Sequence, residues 1–298
     1  MKKNKLLKDF YLFYILYFMI LPIGFFIRVF FSRTLSVEDF GMFYAIIGLF
    51  GFLTLFIDYG FSNSLIYHIS RFRSNNENNK IRNLFYFVFT IKGILIFIFA
   101  SFLYLFSSFL AENYFGTPEI LILFKYMILY FVIQNLFTTL KDVFLAFKLN
   151  VYYQLIAFFN KTLILLFSIA FFILNFENLK IYYSYAWILG SLFVLLVYSF
   201  LIFKKFPFLL KRPKFEKKLY YDFIAYSSHL FTNSLSMKII TKIDLLMITF
   251  FLSVSNLAFY SNAIAIIDII VNVFTVTNKL ILPIFAEYYE KGKFNFLN

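Results

Sequence analysis

The sequence predicts an all-α integral membrane protein of about eight transmembrane helices. Three observations carry this. Hydrophobic residues make up 62% of the chain, against about 45–50% in soluble globular proteins. The apolar residues gather into eight long stretches, and a bilayer core needs about 20 such residues per helix. Finally, Lys and Arg accumulate in alternate gaps between the stretches. Barrel strands alternate apolar and polar residues over only about 10 residues, so stretches this long specify helices.

The eight spans fall at Phe10–Phe31, Phe40–Ile66, Leu84–Leu110, Glu119–Phe144, Val151–Leu174, Ile181–Phe203, Asp222–Leu252 and Leu257–Leu282. The N-terminus carries Lys2, Lys3, Lys5 and Lys8, and the gap after span 2 carries Arg71, Arg73, Lys80 and Arg82. The fourth gap has Lys141 and Lys148 at its edges. The sixth holds Lys204, Lys205, Lys211, Arg212, Lys214, Lys217 and Lys218, and the tail adds Lys291 and Lys293. These nineteen residues lie on one side, against only Arg33 and Lys180 on the other. The positive-inside rule places both termini in the cytoplasm of a multi-pass protein of the cell membrane.

This distribution accounts for most of the net charge of +13. A nucleic-acid partner is disfavoured because the charges sit in short loops beside spans. The chain has no Cys, hence no disulfide or thiolate site. The first stretch lacks a small-residue cleavage site and reads as a span, not a removable signal.

The sixth gap, Lys204–Tyr220, is the best internal boundary, being the most basic segment and holding Pro207 and Pro213. It divides residues 1–221, a six-helix lobe, from residues 222–298, two helices and a tail. An internal repeat crosses it. Leu35-Ser36-Val37-Glu38-Asp39-Phe40-Gly41-Met42-Phe43 precedes span 2, and Leu252-Ser253-Val254-Ser255-Asn256-Leu257-Ala258-Phe259-Tyr260 precedes span 8. Six spans separate the two loops, so they face the same side. That is the pattern of a parallel six-helix repeat.

Ser32-Arg33-Thr34-Leu35-Ser36-Val37-Glu38-Asp39-Phe40-Gly41-Met42-Phe43 resembles the R-x-L-(S/G)-x-x-(E/D)-(F/Y)-G-x-(Y/F) signature of polysaccharide flippases. These belong to the multidrug/oligosaccharidyl-lipid/polysaccharide exporter superfamily. Asp58-Tyr59-Gly60-Phe61-Ser62-Asn63-Ser64-Leu65 resembles their D-x-G-(L/F)-x-x-(A/S)-L. Asp244 and the Leu257–Ala263 segment with Tyr260 resemble a later (I/V)-D and V-G-x-Y-x-x-A, and Pro283 has a counterpart as well. The family motif thus falls on Arg33, Gly41, Asp58, Gly60, Asp244 and Tyr260. Members of the family are V-shaped bundles of two six-helix lobes that move lipid-linked sugars between leaflets. Family chains carry 12 to 14 helices, so the resemblance implies a second lobe one-third complete after eight. A second chain supplying helices is therefore an expected partner, along with the lipid-linked sugar and membrane lipids.

Ionisable groups inside a membrane are costly and mark function by default. Within the spans lie Arg28, Lys92, Lys125, Lys161, Lys238, Lys242 and Lys279, with the acids Asp58, Asp244 and Asp268. At ~1.5 Å per residue, Lys161, Lys242, Asp244 and Asp268 fall near the midplane, where snorkelling is hardest. Asp58 and Lys92 both approach the inner edge, where they can pair. Asp268, Asn272, Thr275 and Lys279 share a face of span 8; Ser234, Lys238 and Thr241 share one of span 7. Such stripes suit a hydrated cavity wall. A cationic cavity suits a diphosphate, with Arg as a fork and Lys as a mobile point charge. Arg28 follows Pro22 and Gly24, which loosen its helix.

The expected substrate-binding set is therefore Arg28, Lys161, Lys238, Lys242, Asp268 and Asn272. No cofactor or catalytic residue is expected: His68 and His229 lack metal spacing, and no nucleotide-binding Gly loop is present. His68 reads as interfacial and Trp187 as a belt anchor. The function implied is flipping of lipid-linked oligosaccharide or polysaccharide precursors by alternating access. The alternatives are a multidrug-type exporter of the same superfamily, disfavoured by the cationic spans; an inactive or partner-dependent fragment; and a membrane polysaccharide polymerase, which would need a larger outer loop.

Overall fold

A computed structural model describes residues 2–267, 270 and 271, helical but for short turns and connectors. The elements are α1 (Lys2–Thr34), α2 (Val37–Asp58), α3 (Phe61–Ser74), α4 (Asn78–Leu105), α5 (Ser107–Asn113), α6 (Ile120–Ala146), α7 (Asn150–Ile173) and α8 (Leu179–Lys205). A short 3₁₀ turn (Pro207–Leu210) precedes α9 (Lys217–Phe251), and α10 follows (Val254–Ile267). Among the described residues α1, α2, α4, α6, α7 and α8 are long and apolar enough to cross a membrane. The sequence of α9, the seventh expected span, carries Lys238, Lys242 and Asp244, which lower its hydropathy. The eighth lies largely outside the described residues.

The chain divides into two compact units, Met1–Ala258 and Phe259–Asn298. In the first, α6 is the axis, packed against α2, α3, α4, α7 and α8, while α1 lies along α7 and α9 along α2. The bundle turns large apolar side chains outward, including Phe97, Leu105 and Phe200. It encloses Lys92, Asn135, Asp142, Gln154 and Asn160. That distribution suits lipid, where polar groups must find partners inside the bundle. Within α7 and α8, Asn160 donates to Ser191 Oγ at 2.9 Å, and Gly190 lets the backbone at Ile164 approach.

Expected span 2 is broken in two. Tyr59 (φ 41°) and Gly60 (φ 74°) both adopt the left-handed conformation, which ends α2 and turns the chain into α3. Gly60 is required twice over: a Cβ there would sit 2.4 Å from the Ser227 carbonyl oxygen of α9. At the far end of α2, a Cβ on Gly41 would lie 1.9 Å from the Val254 carbonyl oxygen. The two repeated loops therefore touch within the first unit. They also share a mechanism: Ser36 caps α2 by accepting from Asp39 N at 3.1 Å, and Ser253 accepts from Asn256 N at 3.2 Å. The matching serines start corresponding helices.

His68 packs inside the first unit. It is buried between α3 and α9, with Nδ1 2.9 Å from the Ser64 carbonyl oxygen and its ring edge-on to Phe223 and Tyr226. Burial holds its pKa below the usual histidine value. The connector between α8 and α9 is strapped down. Asn83 of α4 donates to Glu216 at 2.5 Å and accepts from Lys214 N at 2.8 Å, and Tyr86 donates to Leu209 O at 2.8 Å.

The close approach at Gly41 sets a test. Gly41→Ala should lower thermal stability by about 1–3 kcal/mol through overpacking against backbone. Gly51→Ala, with open space around it, should leave the melting temperature of purified protein unchanged.

Candidate functional site

Two polar groups occupy the interior of the first unit, and Lys141 joins them. The first is cationic and aromatic. Arg28 of α1 lies 4.6 Å over the Tyr44 ring of α2, and Lys161 of α7 lies 5.0 Å over Trp187 of α8. Trp187 meets Tyr130 of α6 edge-on at 5.0 Å and Phe43 at 5.4 Å. It is 5% exposed, so it is an interior residue and not a belt anchor. Its indole N–H is enclosed without a hydrogen-bond partner. Among the described residues Lys161 has an aromatic face, not a carboxylate, as partner. Arg28 and Lys141 lie near enough for their charges to act on it. Cation–π contacts away from water are worth up to about 2 kcal/mol, enough to hold a cation without neutralising it.

The second group is a chamber of about 200 Å³ lined by Thr54, Asp58, Ser62, Lys92, Asn135, Thr138, Lys141, Asp142 and Tyr153. The break after α2 builds it: Asp58 at the last turn accepts from Ser62 N at 3.2 Å and Ser62 Oγ at 2.5 Å, at the start of α3. Lys92 Nζ then reaches Asp58 Oδ1 at 2.6 Å and Ser62 Oγ at 3.1 Å. The pairing read from the sequence is therefore present, with Lys92 only 4% exposed. Lys141, also on the chamber wall, lies 4.4 Å over the Tyr153 ring.

Of the expected substrate-binding residues, the structure brings Arg28 and Lys161 together. The side chains of Lys238 and Lys242 lie outside the described residues, as do Asp268 and Asn272. The motif residues take structural posts. Asp58 anchors the chamber, and Gly41 and Gly60 admit neighbouring backbone. Arg33 is exposed. Beside it in the motif, Asp39 pairs with Lys180 at 2.7 Å. Asp244 accepts from the neighbouring Leu245 N at 2.9 Å, and Tyr260 lies in the second unit. Sequence reasoning missed Asp142, Asn135, Thr138 and Lys141 as a group. Their spacing was the available signal: Asn135, Thr138 and Asp142 stand at i, i+3 and i+7 on α6, one helical face.

The model of the polysaccharide biosynthesis protein family matches residues 6–289. The chain belongs to that family. It is similar to an uncharacterised membrane protein of Methanocaldococcus jannaschii, at 23% identity over 289 residues. The match takes in 93% of this chain and 57% of that protein; the chain thus spans little more than half its relative's length.

The buried ion pair gives a second test. Lys92→Met should destabilise the protein by about 3–5 kcal/mol by stranding Asp58. Adding Asp58→Asn should restore much of that loss, measured as a double-mutant cycle on thermal stability.

Proposed function

We propose that this family member is a flippase and not an enzyme, carrying lipid-linked oligosaccharide or polysaccharide precursors across the cell membrane by alternating access. The observation that carries the reading is the cation cluster. Arg28, Lys161 and Lys141, each half-buried in the first unit, are seated on Tyr44, Trp187 and Tyr153, respectively. A cation held by a ring keeps its charge for an incoming anion. Arg28 supplies a two-pronged donor and the lysines supply point charges, which suits a diphosphate between lipid and sugar. The unpartnered Trp187 N–H adds a donor of the kind a phosphate oxygen accepts. The lipid tail would stay in the bilayer while the headgroup crosses.

The chamber serves another purpose, because 200 Å³ falls below the roughly 300–1,000 Å³ of pockets for drug-sized ligands. Lys238, Lys242, Asp268 and Asn272 belong to the same proposal. The partners proposed are the lipid-linked sugar, membrane lipids and a second chain that adds helices to the second lobe. Both termini are proposed to be cytoplasmic, which puts the chamber in the cytoplasmic half.

Cys introduced at Ser74, Thr117 and Lys214 tests orientation in this Cys-free chain. Only the Thr117 variant should react with an impermeant thiol reagent in intact cells; reaction at Lys214 would reverse the topology.

Flipping is read in proteoliposomes carrying a fluorescent lipid-linked oligosaccharide, with and without a co-reconstituted homologous second lobe. Lys161→Met should slow it about 10- to 100-fold, as loss of a charged hydrogen bond worth about 1.5–3 kcal/mol requires. Lys238→Met and Lys242→Met should do the same. Arg28→Lys should give a partial loss, and Lys92→Gln a milder one. Equal small effects at every site would sink the cationic seat.

A further inference from the structure

We propose that Asp142 is a proton-binding site whose occupancy sets the affinity of the neighbouring cation cluster for a diphosphate. The second half of this rests on the flippase reading; proton binding stands on the chamber alone.

Asp142 lies near the end of α6 and is 6% exposed. Its Oδ2 is fully enclosed without a hydrogen-bond partner, yet the side chain lines the chamber. The other two acids that pair with lysines between helices are neutralised in contact: Asp58 by Lys92 at 2.6 Å and Asp39 by Lys180 at 2.7 Å. Among the described residues Asp142 has no such ion pair. A buried carboxylate left this way is costly, and the cheapest remedy is a proton.

Charged and titratable groups face Asp142 from most of the surrounding elements. They are Asp58 of α2, Lys92 of α4, Lys141 of its own helix and Tyr153 of α7, all on the chamber wall. From α3 comes the Ser62 hydroxyl, and α8 sets Tyr198 edge-on against Phe144. Two ammonium groups in one small chamber oppose a metal cation, and the described residues hold no cluster of three metal-ligating side chains. A proton needs no oxygen cage. It comes from hydronium in the chamber's water, adds to the carboxylate and returns the same way, with no other bond changed.

The consequence follows from charge. With Asp142 ionised, two acids balance two lysines on the chamber wall. With Asp142 protonated, the chamber gains one positive charge beside Lys141, whose charge already acts on Lys161. An anion at Lys161 is then held more tightly, and by linkage the anion raises proton affinity by the same factor.

The test uses purified full-length chain in lipid nanodiscs and inorganic pyrophosphate as the probe. Infrared difference spectra between acidic and neutral pH should show a protonated-carboxyl band that is absent from Asp142→Asn and shifted but retained in Asp142→Glu. Pyrophosphate, titrated by calorimetry, should bind the wild type more tightly as pH falls. Asp142→Asn, fixed in the neutral form, should bind about 5- to 150-fold tighter at neutral pH, the usual span of such coupling, and lose the pH dependence. A carboxyl band unchanged in Asp142→Asn overturns the proton site, as does sodium-dependent binding abolished by that variant. A band assigned to Asp142 with pH-independent pyrophosphate affinity overturns the coupling. A proton site with no pyrophosphate binding at any pH overturns the diphosphate seat and leaves the proton site standing. Thermal melts of both variants establish that they fold.

Discussion

The ion pair between Asp58 and Lys92 is the constraint on which the interior of the first unit rests. Asp58 ends α2, caps the start of α3 through Ser62, and fixes α4 through Lys92. Without the carboxylate, the break at Tyr59 and Gly60 would lose its local partner and the ammonium of Lys92 would be buried alone. The pair is costly to build, since both groups leave water. In lipid, its mutual contact is what makes a polar chamber tolerable at all.

Much of this was legible from residue order. Long apolar stretches and basic gaps specify membrane helices because hydrocarbon leaves the backbone no other way to satisfy itself. The Leu-Ser-Val repeat was legible too, although its cause is local: Ser36 and Ser253 are helix caps. The break inside the second expected span was hidden. Hydropathy averages over a window, while Tyr59 and Gly60 change direction through two dihedral angles. Trp187 was misread for a related reason. Position along a span gives depth but not azimuth, and azimuth decides whether an indole meets headgroups or Lys161.

The chamber residues on α6 were obscured by the same averaging. Lys141 sits at a span edge and counts with the fourth gap, and Asp142 beside it cancels its charge. In the structure both line the chamber with Lys92 and Tyr153. The motif glycines show the converse. Gly41 and Gly60 fall in a family signature, and the structure gives both a steric duty toward α9 and the chain that follows it.

The strapped connector between α8 and α9 has a consequence for cleavage. Leu209, Lys214 and Glu216 each hydrogen-bond to α4 on their own, and Phe206 stacks on Phe147 at 3.9 Å. A protease cut at the exposed Lys211 or Arg212 would leave both new ends docked on the lobe. The nicked molecule would hold together as two pieces, so in this fold an intact backbone here is not what joins α9 to the helices before it.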